Sequence, residues 1–208
     1  EDSSLSSFGT PDYGGELSIA TGVLDIFASR NAFVILSENQ EISVVGQGAD
    51  YLPTILPQSE LVEHVFASNG DFLVIDKNGE EFRFGMHYPY DINSETYGEV
   101  SNSLELEYVI SNHSHIAQIY DDGSIFIFGD SLNPDGFSFK TNLEGDVSEI
   151  SKLVSSQYSF AALYSDGSVE QFGAMLTPYV YSDAPIERFE DQLNSDVVDL
   201  LAVSDGFA

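Results

Sequence analysis

The amino-acid sequence predicts an all-β protein built from small antiparallel sheets that repeat along the chain. Three observations support this: a turn-and-glycine pattern at constant spacing, short apolar runs on both sides of each turn, and a composition rich in turn-forming and aromatic residues. The 208 residues include 17 Gly, 7 Pro, 15 Phe and 11 Tyr, which favours short turns and aromatic strands over a helical bundle. Because 42% of the residues are hydrophobic, the chain can bury a sizeable core.

A repeat is visible in the spacing of turn residues and glycines. The turn residues Asn39, Asn78, Asp122 and Asp166 are each followed seven positions later by Gly46, Gly85, Gly129 and Gly173. We number repeat positions from the turn residue, so this glycine is position +7. Apolar residues that we expect in the core occupy positions −6, −3 and +6: Phe33, Phe72, Ile116 and Phe160; Leu36, Ile75, Ile119 and Leu163; Val45, Phe84, Phe128 and Phe172. The copies align without a gap, which identifies them as one structural unit.

Each copy predicts a β-hairpin preceded by a further short strand. Asn78-Gly79, Asp122-Gly123 and Asp166-Gly167 are strong hairpin signals, since glycine accepts a positive φ without steric cost. The preceding strand ends on a small residue at position −11, where we expect backbones to approach closely: Ala28, Ala67, Ser111 and Ser155. The unit is therefore predicted to be a small antiparallel sheet.

The repeat length predicts the architecture. Turn-to-turn spacings of 39, 44 and 44 residues are those of β-propeller blades. The two ends carry parts of a further copy: Asp2 occupies the turn position, since Leu5, Phe8 and Gly9 follow at +3, +6 and +7, while Ala202 and Phe207 match −11 and −6. We therefore expect one propeller domain or segment over residues 1–208, with repeats of about 39–47 residues and about five blades, four complete and one split. Two arrangements are compatible with these partial copies: the two ends complete one blade and close a ring, or the chain is a portion of a longer array of repeats. We expect the chain to be part of a longer protein.

The repeat resembles that of the regulator-of-chromosome-condensation propeller family. The resemblance rests on Ser159–Gly173, with its small residue, Ala-Leu strand, Asp-Gly turn and aromatic-Gly end, and on the glycine-rich stretch Phe8–Leu17. It is closest to the acidic, short-period versions of large secreted bacterial proteins, and similar propellers include a secreted inhibitor of β-lactamases. The resemblance implies a binding role. Nuclear members of the family exchange nucleotides on a small GTPase and dock on chromatin, which the charge of this chain argues against, and no functional residue of that branch carries over.

Net charge excludes several classes of partner. The chain has 35 acidic and 6 basic residues, a formal net charge of −29 and a pI near 4.1. Such a surface repels phosphate backbones and anionic lipid, so we expect neither nucleic-acid binding nor docking onto anionic lipid. No apolar run approaches the roughly 18 to 20 residues that span a bilayer, so we expect no membrane insertion. The absence of cysteine excludes disulfides and thiolate metal sites.

Candidate catalytic and metal-binding groups are few. His113 and His115 would share a face of an extended strand, but a solvated or locally hydrogen-bonded pair is favoured over a metal site. Acidic pairs such as Glu80-Glu81 flank predicted turns, where carboxylates are solvated. No nucleophile motif or phosphate loop occurs, so we predict no enzyme, no catalytic residues, no cofactor and no defined metal site. Asp76–Glu80 and Asn133–Gly136 resemble acidic calcium loops, but a hairpin turn explains the first and a type I turn the second, so only weak Ca²⁺ binding without a defined site stays open.

These observations predict a non-enzymatic, extracellular propeller module of a large bacterial surface or secreted protein. Its role would be adhesion, protein interaction or structural spacing, with a protein or a cell-surface glycan as partner. The alternative is a dedicated protein-binding inhibitor or regulator that uses one propeller face. Partner contacts are expected from aromatic residues in the connections between blades, because the repeat positions are committed to the core. The candidates are Tyr51, His87, Tyr88, Tyr90, Tyr97, Tyr179 and Tyr181.

Overall fold

A computed structural model describes residues 3–13, 15, 18–19, 22–47, 57–85, 104–129, 139–157, 159–173, 195–204 and 206–208. These residues form seventeen strands and three single turns of 3-10 helix, at Pro11–Tyr13, Ser59–Leu61 and Val147–Glu149. The strands are β1 Leu5–Ser6, β2 Ser18–Ile19, β3 Val23–Ala28, β4 Ala32–Ser37, β5 Ile42–Gly46, β6 Val62–Ala67, β7 Asp71–Asp76, β8 Glu81–Gly85, β9 Leu106–Ser111, β10 His115–Tyr120, β11 Ser124–Gly129, β12 Phe139–Asn142, β13 Ile150–Ser155, β14 Ser159–Tyr164, β15 Val169–Gly173, β16 Ala202–Val203 and β17 Gly206–Phe207.

The strands pair only with their sequence neighbours, in small antiparallel sheets. The first blade is β3-β4-β5, the second β6-β7-β8, the third β9-β10-β11-β12 and the fourth β13-β14-β15. Two-stranded sheets, β1-β2 and β16-β17, make two half-blades. The prediction of an all-β fold built from antiparallel propeller-type blades is confirmed. The fourth strand β12 is a finding that the repeat did not predict, because it lies in a stretch where the copies differ.

The chain divides into two compact units. One consists of Glu1–Ser94 with Phe128–Ser138, and the other of Glu95–Ile127 with Phe139–Ala208. Each unit has a core of its own. The first unit contains the first and second blades and the half-blade β1-β2. The second unit contains the fourth blade, the half-blade β16-β17 and most of the third blade.

Neighbouring blades within each unit pack by one rule. Positions −5 and −3 of a blade face positions −6 and −4 of the next blade. In the first unit Val34 and Leu36 pack with Phe72 and Val74. The second unit repeats the pattern with Ala117 and Ile119 against Phe160 and Ala162, and then with Ala161 and Leu163 against Phe207. Since successive residues of a strand point to opposite faces, the second strand of a blade has both faces in a core. All six residues of β7, β10 and β14 are accordingly buried.

Two core positions of the first blade are less buried than the repeat predicts. Phe33 and Val45 oppose each other across β4 and β5 and are half-buried. Ile35, on the same face of β4 as Phe33, is fully buried, so the incomplete cover is confined to the end of the sheet where Phe33 and Val45 pair. Burial at a repeat position therefore depends on how far a neighbouring blade covers that face.

The glycine at +7 is required by two independent constraints, as Gly85 illustrates. Its φ is +138°, a backbone conformation that side-chain-bearing residues rarely adopt. It also lies opposite Asp71, so a Cβ at this position would meet the Asp71 Cα and the Gly70 carbonyl oxygen far inside the 3.0 Å that real Cβ contacts keep. Gly46 shows the same close approach, to the Asn31 carbonyl oxygen, so in the first two blades the glycine lies where the third strand passes close to the backbone at the start of the second strand.

The first strand of every complete blade contains a β-bulge at position −15. The register shifts there in β3, β6, β9 and β13, leaving Leu24, Glu63, Glu107 and Ser151 exposed. These strands form an edge of their sheets. Bulges of this kind protect an edge from pairing with other strands, because they interrupt the ladder of free hydrogen-bonding groups.

Candidate functional site

In each blade the first turn, which joins the first and second strands, lies at one edge of the sheet, and we call this the first-turn edge. The first turns comprise residues 29–31 and 68–70 in the first unit, and residues 112–114, 156–157 and 204 in the second unit. Third strands end at the same edge, since Gly46, Gly85 and Gly173 pair with the first residues of the second strands. The segments that follow these strands therefore begin beside the first turns.

The predicted partner-binding residues all belong to segments that follow third strands. All seven lie outside the described residues: Tyr51, His87, Tyr88, Tyr90, Tyr97, Tyr179 and Tyr181. Their segments begin at the first-turn edge, and their contacts with a partner stay a prediction.

Three of the four first turns in the complete blades are stabilised by a side chain that the sequence analysis missed. In three blades the side chain at −10 accepts a hydrogen bond from the backbone N–H at −7, at 3.0 Å for Ser29, 2.7 Å for Asn112 and 3.2 Å for Ser156. Short polar side chains stabilise turns in this way. A Ser or Asn stands at −10 in all four complete copies, so the signal was available at constant spacing.

Buried polar side chains are concentrated at the first-turn edge and the adjoining strand ends. They are Ser68, Asn69, Asp71, Ser114, His115, Ser156 and Ser159. Asn31 Nδ2 donates to the carbonyl oxygen of Asn69 at 3.1 Å and to its Oδ1 at 3.2 Å, which ties the first turns of two blades together. The hydroxyl of Ser68 is buried without a hydrogen-bond partner among the described residues. This edge thus presents polar groups on a rigid frame.

His113 and His115 differ in burial. His113 is exposed in the first turn of the third blade, whereas His115 begins β10, is buried, and donates its backbone N–H to Asn112 Oδ1. His115 is thus buried rather than solvated, because this residue belongs to the second strand of its blade. Among the described residues, no group of three or more His, Cys, Asp or Glu side chains could hold a metal ion.

The opposite edge of each sheet carries the second turn, which joins the second and third strands. A backbone hydrogen bond at this edge recurs in all four complete blades. The backbone N–H at −1 donates at 2.8 to 2.9 Å to the carbonyl sixteen residues earlier, in the pairs Glu38–Gly22, Lys77–Leu61, Asp121–Glu105 and Ser165–Glu149. Carboxylates at the second turns also accept hydrogen bonds from nearby residues. The Ser168 hydroxyl and N–H donate to Asp166 at 2.6 and 2.8 Å and lower its pKa. The Glu80 N–H, at 2.9 Å, lowers the pKa of Asp76.

Three cationic side chains of the described residues make internal contacts. Lys152 pairs with Asp199 at 2.6 Å, Arg83 pairs with Glu81, and Lys77 donates to a backbone carbonyl at 2.6 Å. With a net charge of −29, the carboxylates that remain make the surface strongly negative. This field attracts cationic partners and repels polyanions.

In the part of the chain that the structure describes, no helix has the length and hydropathy needed to cross a bilayer.

Comparison with solved structures returns propeller proteins at low sequence identity. The structure of human WBSCR16 is similar at 16% identity over 73% of this chain and 47% of that one, with a TM-score of 0.43. Yeast RCC1 (Prp20), solved bound to Kap60, is similar at 11% identity over 76% of this chain and 46% of that one, with a TM-score of 0.45. The CRINKLY WD40 ectodomain of the Arabidopsis thaliana receptor kinase ACR4 is similar at 12% identity over 73% of this chain and 51% of that one, with a TM-score of 0.42.

The chain spans about half the length of these solved chains. No protein-family model matches it, and no curated protein matches it. The fold assignment therefore rests on the sheets, their register and the packing rule described above.

Proposed function

We propose that the chain is a non-enzymatic protein-interaction module that binds its partner through the first-turn edge. The observation that carries this proposal is the contrast between the two sheet edges. Backbone hydrogen bonds recur from blade to blade at both edges, but the second turns also keep an Asn or Asp, followed by Gly in three of the four complete copies. First turns differ in sequence between copies, with Arg30-Asn31, Asn69-Gly70 and His113-Ser114 at equivalent places. Variable groups on a constant frame are typical of binding surfaces.

The proposed partner is a protein or a cell-surface glycan, and the net charge of −29 disfavours a polyanionic partner. We also propose that the module works outside the cell, within a larger bacterial surface or secreted protein, in adhesion or structural spacing. The acidic, cysteine-free composition supports this setting. The bond from Asn31 to Asn69 supports the second candidate, a dedicated inhibitor or regulator, because a rigid surface loses little entropy on binding.

The experiment compares the two edges directly. Immobilised full chain captures proteins from a cell-surface extract, and isolated candidate partners are then titrated against wild type and single variants. Arg30→Ala and His113→Ala alter exposed first-turn residues. Asn39→Ala and Glu105→Ala alter exposed residues at the second-turn edge of the same units and serve as matched controls.

For the true partner, we expect Arg30→Ala or His113→Ala to weaken binding by about tenfold or more, as residues central to an interface do. The two controls should stay within about twofold of wild type, the range of near-neutral contacts. Equal loss at both edges contradicts the proposed site. If the chain binds no protein and no surface glycan, only the role of a structural spacer remains.

A further inference from the structure

Tyr13 belongs to the class of residue that the sequence analysis singled out for partner contacts. It is an aromatic residue in a segment that follows a third strand, because β1 takes the third-strand place of its copy, with Phe8 and Gly9 at +6 and +7. The seven predicted candidates lie outside the described residues, whereas Tyr13 ends the 3-10 turn Pro11–Tyr13. Its side chain is 45% exposed. Tyr13 therefore shows where a residue of this class lies relative to a blade.

The segment that contains Tyr13 lies against the first-turn edge of the first blade. A Cβ built on Gly46, which ends β5, would lie 2.5 Å from the Asn31 carbonyl oxygen and 3.1 Å from the Tyr13 carbonyl carbon. The next residue, Gln47, donates its backbone N–H to the same Asn31 carbonyl oxygen at 2.9 Å. Tyr13, Asn31 and Gln47 thus meet at the end of the third strand, within one compact unit.

The side-chain amide of Asn31 is held in a fixed orientation. Its Nδ2 donates to the carbonyl oxygen of Asn69 at 3.1 Å and to the Oδ1 of Asn69 at 3.2 Å. None of the described residues donates a hydrogen bond to the Oδ1 of Asn31, which is a half-buried residue. Gln47 is also half-buried and adds a second side-chain amide. This edge therefore presents amide groups beside an exposed aromatic residue.

These groups match the chemistry of a pyranose sugar. Each sugar hydroxyl both donates and accepts hydrogen bonds, and a side-chain amide offers both functions. The C–H groups on one face of a pyranose ring form an apolar patch, which stacks on an aromatic ring because the face of that ring is electron-rich. Since the Asn31 amide is already oriented by Asn69, it loses little entropy when a ligand binds.

The composition of this surface favours a sugar over a protein as its ligand. The centre of a protein interface buries several apolar or aromatic anchors that pack together. Among the described residues of this edge in the first unit, 13, 29–31, 46–47 and 68–70, Tyr13 is the one exposed large apolar side chain. Asp12 beside it is also exposed, and the chain carries a net charge of −29, so an anionic sugar is repelled. A neutral sugar fits these conditions.

We propose that Tyr13, Asn31 and Gln47 form a binding site for a neutral pyranose unit of a cell-surface glycan. Tyr13 stacks on the C–H face of the sugar, and the two amides form hydrogen bonds with its hydroxyl groups. This inference rests on the proposed function, because it assigns a ligand class to one part of the first-turn edge.

The test presents the full chain with a panel of oligosaccharides. The neutral probes contain glucose, galactose, mannose or N-acetylglucosamine, and sialylated and sulfated oligosaccharides are their anionic counterparts. Binding is measured on a glycan array and by saturation-transfer NMR, which also detects weak binding at a single site. We expect one or more neutral probes to bind at least about tenfold more tightly than any anionic probe.

Single variants then locate the site with the neutral probe that binds best. Tyr13→Ala removes the ring and should weaken binding by about tenfold, whereas Tyr13→Phe keeps the ring and should stay within about threefold of wild type. Gln47→Ala removes one amide and should weaken binding by about three- to tenfold. Leu61→Ala and Asn39→Ala remove an exposed apolar and an exposed amide side chain near the second-turn edge of the same unit. These two controls should change binding by less than about twofold.

Three outcomes overturn the proposal. The first is that no neutral probe binds, and the second is that an anionic probe binds more tightly than every neutral one. The third is that Tyr13→Ala and Gln47→Ala bind the neutral probe as tightly as wild type. Urea unfolding checks that each variant is folded, and Gln47→Ala with Tyr13→Phe decides the question if Tyr13→Ala does not fold.

Failure of this inference can be distinguished from failure of the proposed function. If an isolated protein partner loses affinity with Arg30→Ala while no neutral oligosaccharide binds, the glycan assignment is wrong and the first-turn edge remains the binding surface. If Leu61→Ala and Asn39→Ala weaken binding of the neutral probe as much as Tyr13→Ala does, both the glycan site and the proposed edge are wrong.

Discussion

Replacing Gly85 by Ala provides the sharpest test of why the repeat keeps a glycine at +7. A residue held in a sparsely populated backbone region costs about 1–3 kcal/mol. The added Cβ would also overlap backbone atoms of Asp71 and Gly70, which belong to rigid strand and turn structure. Forcing an extra methyl group into such a site costs about 1–3 kcal/mol more. We therefore expect Gly85→Ala to lower the free energy of unfolding by about 4 kcal/mol.

The matched control is Gly79→Ala in the same blade. Gly79 also has a positive φ, +79°, but nothing lies within 4 Å of a Cβ built there. The backbone penalty of about 1–2 kcal/mol is partly offset by the lower entropy of the unfolded Ala chain, which leaves about 1 kcal/mol. Gly85→Ala should thus exceed Gly79→Ala by about 3 kcal/mol.

Urea unfolding measures this difference. The chain has no Trp and 11 Tyr, so far-UV circular dichroism and tyrosine fluorescence are the signals. Because the chain forms two compact units, hydrogen exchange of the amides in β7 and β8 assigns the transition to the second blade. A difference between the two variants below about 1 kcal/mol refutes the argument, since the close approach at Gly85 would then carry no energetic weight.

Three further predictions follow from the packing, charge and turn geometry. Phe160→Ala empties a fully buried position and should cost about 3–5 kcal/mol in urea unfolding, against about 0.5 kcal/mol or less for the exposed Leu61→Ala. Hydrogen bonding to Lys152 holds the pKa of Asp199 below its usual 3.8, so Lys152→Gln should raise it in an NMR titration. Because that pKa is lowered on folding, the stabilisation is present above pH 3.8 and is lost as the pH falls through the lowered value. Gln40→Gly should stabilise the chain by about 1 kcal/mol, measured as a shift of the urea midpoint, because Gln40 has a φ of +70° where other copies have glycine.

The turns and blades could be predicted because a few positions repeat under strong constraints. Position +7 has a positive φ in every copy, and in the first two blades it also lies against backbone atoms, so glycine recurs there. Positions −6 and −3 lie on opposite faces of a strand that is buried on both sides, so apolar residues recur there. Constraints of this kind leave a periodic record in the sequence.

Two features could not be predicted, and the reasons differ. The fourth strand Phe139–Asn142 lies in a stretch of variable length and sequence, so no period marks it. The half-burial of Phe33 and Val45 depends on which neighbouring blade covers a face, which is a property of packing between copies and is invisible within one. The Ser or Asn at −10, in contrast, could have been predicted, because it stands at the same position in all four complete copies.

The candidate binding residues are the hardest to predict for a physical reason. The frame needs apolar residues at −6, −3 and +6 and glycine at +7, and these requirements leave the first-turn tips free to vary. Arg30 and His113 occupy equivalent places without any change in the strands that carry them. A surface of this kind can acquire a new partner at little cost to folding. Its specificity must therefore be found by comparing edges experimentally, because the pattern that specifies the fold carries no information about those tips.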